Sequence, residues 1–443
     1  MYYTICVLDA EQLSGQYEIQ NAKAENSTTL AQHLQQLRHQ RNELQDKYLP
    51  VGSGFQFEQF QQTLNDKIAI VYLYITNTGL EIFIITRESL KHLNVSNLPE
   101  KQALVNWANE YLETYNQNKT KTEWLNSLTS RLSHLSKILN IDRIINCDEI
   151  KKCSRLILIP HRFLHLFPLH ALPLAKGDFL CDRFPEGVGY APSCQLLQLA
   201  KIRQRPDFTH LFAIQNPTKD RPYVDFGVEA IRPYFQPNDY VLPGDKAIKA
   251  NLIQSEQLRS AHCFHFFGHA TFNFEKSALI LADGHLTLGE IFALDLNQCR
   301  LVILSACETG MTDFNSISDE YIGLPSGFLF AGSPSVVSTL WEVDQLSAAF
   351  LMIEFYENLR KYKQLEEGDI AIALNLAQKR LRDLTVDEFK KRLIKYKALI
   401  DEILSKLPKV ERRKAEASIT YRLSQAYPFA HPSDWAAFTA TGI

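Results

Sequence analysis

The sequence predicts an α/β sandwich built on a mostly parallel sheet. Short apolar runs of strand length alternate with stretches of helical period along most of the 443 residues. The runs at 155–159, 211–214 and 300–304 are nearly continuous rather than alternating, as in strands covered on both faces, and 262–267 and 335–340 add two more of strand length. Several end in Pro, Gly or Asn, the residues that turn a chain out of a strand.

Taken in order, residues 2–8 form a short strand. Residues 29–48 form a polar helix, with Leu30, Leu34, Leu37 and Leu44 near helical spacing, broken at Gly52-Ser53-Gly54. The segments 68–75 and 80–86 are rich in Ile, Val, Tyr and Phe and flank Asn77-Thr78-Gly79, which predicts a hairpin. Helices follow at 99–116 and 121–139, then a strand at 155–159 stopped by Pro160.

A second series begins near 209. A strand at 211–214 ends in Asn216-Pro217, and helices follow near 227–235 and 247–257. The strand 262–267 ends at Gly268-His269. A hairpin arm at 279–281 turns at Asp283-Gly284, and the strand 300–304 ends at Ser305-Ala306-Cys307. A helix at 324–330, a strand at 335–340 and helices at 346–362 and 369–381 complete the pattern.

A late helix starts at the capping box Thr385–Glu388. Phe389, Leu393, Tyr396, Ile400, Ile403 and Leu407 make one apolar stripe, which Pro408 ends. Lys390, Lys391, Arg392, Lys395 and Lys397 fill the other face. The helix either packs on its own domain or docks a partner.

A length of 443 residues suggests two or three domains. We divide the chain into a first half, 1–205, with the N-terminal helix and hairpin, and a second half, 206–443, with a helical insertion near 385–420. The apolar fraction of 45% is enough for a large core. The net charge of −3 argues against direct nucleic-acid binding and against a membrane-surface protein. No apolar stretch is long enough to span a bilayer, and MYYTICVLDAEQ lacks a secretory signal, so the expected location is cytoplasmic. Eight scattered cysteines without a CxxC pair are expected to be free thiols. No repeat of solenoid length occurs.

In open α/β sheets, functional groups collect at the carboxyl ends of strands. Two such ends carry reactive side chains, His269 in HFFGHAT and Cys307 in VILSACETG, 38 residues apart. Adjacent parallel strands would bring both to one rim. An imidazole near a thiol favours the nucleophilic thiolate, and Gly310 with the loop after it is placed to offer backbone N–H groups to an oxyanion. Taken singly, Cys307 is equally a small buried hydrophobe and His269 a satisfied core histidine.

The ordered set FHFFGHATF, LADGHLTLGEI, LVILSACETG and DEYIGLPSGFLFAGSPSVVSTLWEVD resembles the CHAT domain, a caspase-like cysteine peptidase domain often found with tetratricopeptide repeats. IPHRFLHLFPLHAL, CDRFPEGVGYAPSCQLL, FAIQNP and HPSDWAAFTATG extend the resemblance from about residue 55 to the end, interrupted near 385–420. The peptidase domain of separase is more distantly similar. The resemblance implies a caspase-like three-layer sandwich, a non-catalytic half followed by a catalytic one, and no cofactor or metal.

It further implies a regulated, selective cysteine endopeptidase with His269 and Cys307 as its dyad and the N–H groups of Ala270 and Cys307 as its oxyanion hole. The family usually has Gly where this chain has Ala270. If that position needs positive φ, Ala strains it by about 1–2 kcal/mol. A preference for cleavage after a basic residue would rest on an acidic pocket, with Asp344 first and Asp319 second as its carboxylate and Trp341 as a wall. The implied partners are a protein substrate and a regulatory protein or tetratricopeptide-repeat module. A catalytically silent interaction module is the alternative, and a cysteine-dependent acyl transferase or amidase a further one.

His262, Cys263, His265 and His269 resemble a metal set on paper, but strand alternation turns His262 and His265 to opposite faces. Ser305 lacks the GxSxG context of a hydrolase elbow. No phosphate-binding glycine motif occurs. His161, His165 and His170 follow the earlier strand without a matching cysteine, and we assign them structural or interface roles.

Overall fold

A computed structural model describes residues 55–76, 79–94, 98–117, 120–203, 205, 207–271, 277–306, 309–310, 323–362 and 364–443. The expected strand at 2–8, the helix at 29–48, Cys307 and Asp319 lie outside the described residues. The chain divides into two compact units, residues 1–63 with 315–319, and residues 64–314 with 320–443. The described part of the first is the helix Phe57–Gln62 and its flanks. The second unit holds the sheet.

Its strands are β1 (Ile68–Ile75), β2 (Leu80–Ile85), β3 (Leu90–Asn94), β4 (Arg155–Ile159), β5 (Val188–Tyr190), β6 (Leu211–Gln215), β7 (Asp239–Pro243), β8 (Cys263–Phe267), β9 (Ala270–Thr271), β10 (Ala278–Leu281), β11 (Gly284–Thr287), β12 (Leu301–Ser305), β13 (Ser335–Thr339) and β14 (Phe438–Gly442). Eleven form one sheet in the order β3-β2-β1-β4-β5-β14-β13-β12-β8-β6-β7. β9, β10 and β11 form a small antiparallel sheet.

The large sheet is mostly parallel. Only β1–β2, β2–β3 and β13–β14 are antiparallel pairs. Strands from residues 64–205 lie on one side and those from 206–443 on the other, joined where β14 pairs parallel with β5. Because β13 and β14 are antiparallel, strand direction reverses at that seam. The carboxyl ends of β6, β8 and β12 therefore face the rim opposite the carboxyl end of β4.

Side-chain alternation divides the interior into two cores, one on each face. From β6, β8 and β12, Leu211, Ala213, Cys263, Phe267, Leu301 and Ile303 face one core, and Phe212, Ile214, Phe264, Phe266, Val302 and Leu304 the other. The first core is closed by the helices Leu98–Asn116, Lys121–Ile138, Pro222–Ile231, Gln345–Leu359 and Asp369–Arg382. The second is closed by Leu324–Phe330, Leu288–Phe292 and the small sheet. This is the expected three-layer sandwich.

The late helix differs from the expectation. It breaks at Tyr396 into Val386–Lys395 and Lys397–Ser405, and a further helix, Lys409–Leu423, follows Pro408. The capping box holds, with Thr385 and Glu388 bonded reciprocally. Phe389 is buried against the rings of Phe350 and Phe429, and the partly buried Tyr396 turns edge-on to Phe226. Within this chain the stripe packs on its own domain.

Candidate active site

Register brings the two expected strand ends together. β8 and β12 run parallel with Phe267 opposite Ser305. His269 and Cys307 each follow two residues later in the sequence. Cys307 itself is outside the described residues, but the chain on both sides of it is pinned. Thr309 Oγ1 donates to the carbonyls of Leu304 and Ala306, at 3.1 and 3.2 Å, and accepts the Thr339 N–H at 3.0 Å. The Gly310 N–H donates to the Thr339 carbonyl at 2.6 Å, so it is committed to the frame rather than offered to an oxyanion.

His269 leaves β8 through Gly268, and its carbonyl accepts the Ile280 N–H at 2.9 Å. That bond makes Ala270 and Leu279 a non-hydrogen-bonded pair of the β9–β10 ladder, so the Ala270 N–H points away from β10. Ala270 is extended. It is absent from the four described non-glycine residues with positive φ, Asn140, Arg162, Asn216 and Lys219. The strain expected from replacing Gly at this position does not arise.

The His269 ring is held by two residues that no sequence motif singles out. Its Nε2 lies 3.0 and 2.9 Å from the two carboxylate oxygens of Asp220. Arg221 places Nε 2.9 Å from Nε2 and Nη2 3.0 Å from Nδ1. Both residues come from the loop after β6, the strand next to β8. Asn216, at φ 47°, starts that loop. Its side-chain amide donates to the Arg221 carbonyl and to Asp225, and its Oδ1 accepts the Arg221 N–H. The Asn216 N–H donates to the Phe267 carbonyl at 2.9 Å, tying the loop to the end of β8.

Glu342, after β13, completes the cluster. Its carboxylate lies 3.8 Å from Arg221 Nη2 and forms an ion pair with Lys121. The hydrogen bond from Lys121 holds its carboxyl below the usual range, and the charges of Lys121, Arg221 and His269 add to this against the cost of burial. Burial pushes the Asp220 carboxyl up, but hydrogen bonds from Thr218 and His269 outweigh it and hold the carboxyl low. Asp220 is therefore an anion at neutral pH.

The residues expected to form the pocket have other surroundings. Asp344 caps the helix Gln345–Leu359, accepting the Ser347 N–H and hydroxyl at 3.0 Å each, and Arg422 reaches it at 3.3 Å. Trp341 is 1% exposed, its Nε1–H donates to the Ser433 carbonyl, and its ring meets Trp124 edge-on. It is a core residue without a face for substrate.

No group of His, Cys, Asp and Glu among the described residues has the arrangement of a metal site. His265 is fully buried between the hydroxyls of Tyr356 and Ser305. His170 lies between Tyr190 and Gln378, and His161 accepts the Ile75 N–H. Burial pushes His165 and His170 down to about 3, so both are neutral. These three histidines follow β4, on the rim opposite His269. No helix among the described residues is long and apolar enough to cross a membrane.

The profile of the CHAT domain matches residues 127–443, well over half of the chain. The chain belongs to the CHAT domain family. Among curated proteins no match is found. Among solved structures, this CHAT chain is similar to the Saccharomyces cerevisiae separase–securin complex. One structure matches at 12% identity over 84% of this chain and 32% of that one, with a TM-score of 0.49. A second matches over 72% and 29%, at 12% identity and a TM-score of 0.48. The complex of Porphyromonas gingivalis RgpB pro- and mature domains matches at 10% identity over 77% of this chain and 76% of that one, with a TM-score of 0.37. This CHAT chain thus spans about a third of the separase chains it matches. It has a caspase-like cysteine peptidase fold.

Proposed function

We propose that this CHAT chain is a selective cysteine endopeptidase, with the second half catalytic and the first half its non-catalytic support. The supporting observation is the Phe267–Ser305 register, because His269 and Cys307 follow these paired strand ends at equal distance. Cys307 Sγ would attack the scissile carbonyl carbon as the thiolate. The tetrahedral oxyanion would be met by the N–H groups of Ala270 and Cys307. As the C–N bond breaks, His269 gives its proton to the leaving amine and a thioester remains. His269 then takes a proton from water, the hydroxide attacks the thioester, and the thiolate leaves.

Cleavage after Arg or Lys is supported by Glu342. Its carboxylate is 45% exposed, is held ionised, and already accommodates one guanidinium and one ammonium next to His269. Asp344 serves as the cap of the helix Gln345–Leu359, whereas Glu342 pairs with Arg221 beside His269, which makes Glu342 the better-placed anion. The extended Ala270 weighs against a silent module, because the strain that a left-handed Ala would carry is absent. The partners we propose are a protein substrate and a regulatory protein, for which a tetratricopeptide-repeat module is the family's usual source.

A panel of fluorogenic peptides with Arg, Lys, Asp or Leu before the reporter tests this. Release with Arg or Lys, abolished by Cys307→Ala, is expected. Equal release by wild type and Cys307→Ala, or a preference for Asp, would overturn it.

A further inference from the structure

The Glu342 carboxylate meets two cations with separate oxygens. Oε1 lies 3.8 Å from Arg221 Nη2, and Oε2 takes the Lys121 ammonium. Arg221 belongs to the second half of the chain. Lys121 belongs to the first half, as the opening residue of the helix Lys121–Ile138. The half assigned no catalytic group therefore places a basic side chain on the anion that supports cleavage after Arg or Lys.

Lys121 is fixed at both root and tip. Its Nζ lies 5.6 Å from the centre of the Tyr115 ring, and Tyr115 is buried. The Tyr115 hydroxyl accepts the Glu342 N–H at 3.0 Å. The end of the helix Leu98–Asn116 thus holds the Glu342 backbone, and the start of the next helix holds its side chain. Trp124, one turn further along, is buried and meets edge-on both Tyr115 and Trp341, the residue before Glu342. These three rings set the turn between the two helices against the chain leaving β13. A lysine placed in this way gives up less freedom on pairing than one on a bare surface.

We propose that Lys121 is a tethered stand-in for the basic side chain of the substrate, seated on Glu342 Oε2 until the substrate displaces it. This inference rests on the peptidase reading above and on Glu342 as the anion that reads the basic residue. Lys121 and the incoming side chain are both cations, so binding exchanges one pair for another at the same oxygen. The lysine therefore weakens every basic substrate and leaves an apolar one alone. A guanidinium makes two parallel bonds to a carboxylate where an ammonium makes one, so Arg displaces Lys121 more readily than Lys does. The first half in this way sets a threshold for basic substrates, beyond supporting the sheet.

The test is the affinity of two fluorescent peptides, with Arg or Leu before the scissile position, for the full chain carrying Cys307→Ala, read by anisotropy. Adding Lys121→Ala should tighten the Arg peptide about threefold to fivefold, the effect of freeing the anion from one exposed ion pair. The Leu peptide should bind as before, and Lys121→Arg should keep the original affinity. The gain should vanish when Glu342→Gln is also present. Where Lys121→Ala melts below the parent, Lys121→Gln carries the same comparison. Equal Arg-peptide affinity with and without Lys121, no Arg-peptide binding by either protein, or a gain that survives Glu342→Gln would overturn the stand-in. Binding needs no turnover, so cleavage by the chain with Cys307 intact separates the two readings. Cys307-dependent cleavage with no effect of Lys121 on binding leaves the peptidase standing and removes only the stand-in.

Discussion

Phe267 and Ser305 stand side by side as the last residues of two neighbouring parallel strands, β8 and β12. This pairing turns two residues 38 positions apart into candidates for one reaction. The neighbouring strand β6 contributes the Asp220–Arg221 loop to the same rim, and β13 contributes Glu342.

The two acidic residues after β13 should separate by function. Asp344→Ala removes a helix cap and should lower stability by about 1 kcal/mol, leaving the preference between Arg and Asp peptides unchanged. Glu342→Gln should leave the melting temperature nearly unchanged and weaken the preference for Arg. Melting curves and peptide panels of both variants check this. A lost Arg preference in Asp344→Ala alone would return the pocket to Asp344.

Phe389 is the anchor of the late insertion, fully buried, with ring centroids 5.4 Å from Phe350 and 5.1 Å from Phe429. Phe389→Ala should cost about 3–5 kcal/mol, measured by urea unfolding. A change within experimental error would mean that the insertion is not part of the cooperative core.

Asp182 gives a pH dependence. Burial pushes its carboxyl up, but two hydrogen bonds from Arg382 and one from the Phe179 N–H outweigh this and hold it low. A carboxyl whose folded value is depressed contributes its full stabilisation above the unfolded value, near pH 4, and loses it as the pH falls through the folded value. Asp182→Asn should therefore destabilise by about 2 kcal/mol at pH 7, and the difference from wild type should shrink below pH 4. Melting temperatures from pH 7 to 3 test it, and a constant difference would contradict it.

Gly187 precedes β5 at φ 86°, and a Cβ there would lie 2.9 Å from the backbone nitrogen of Ile372. Gly187→Ala combines left-handed strain with a backbone clash and should cost about 2 kcal/mol or more. Equal unfolding midpoints for variant and wild type would show that the helix Asp369–Arg382 yields freely.

Legibility followed burial. β4, β8 and β12 were visible because strands covered on both faces are continuous apolar runs, and the cysteine and histidine at their ends came with them. β5 is three residues long, β7 is a half-exposed edge strand that starts with Asp and ends with Pro, and β3 is the opposite edge. β14, Phe-Thr-Ala-Thr-Gly, has too little apolar content to declare itself, and its place beside β13 and β5 is decided by tertiary pairing. The break at Tyr396 leaves the apolar stripe intact, so periodicity could not reveal it. Asp220 and Arg221 lie in Asn-Pro-Thr-Lys-Asp-Arg-Pro, which has the composition of an ordinary turn. Only the adjacency of β6 and β8 places them on His269.

The proposed reaction requires His269 to activate Cys307. The direct measurement is the rate at which an arginyl chloromethylketone peptide labels Cys307 in the wild type and in His269→Ala, with Cys307→Ala as the blank. Labelling at Cys307 that slows at least about tenfold without the imidazole, as expected for loss of a general base, is the predicted result. Equal rates in the two proteins, or labelling that persists in Cys307→Ala, would contradict it.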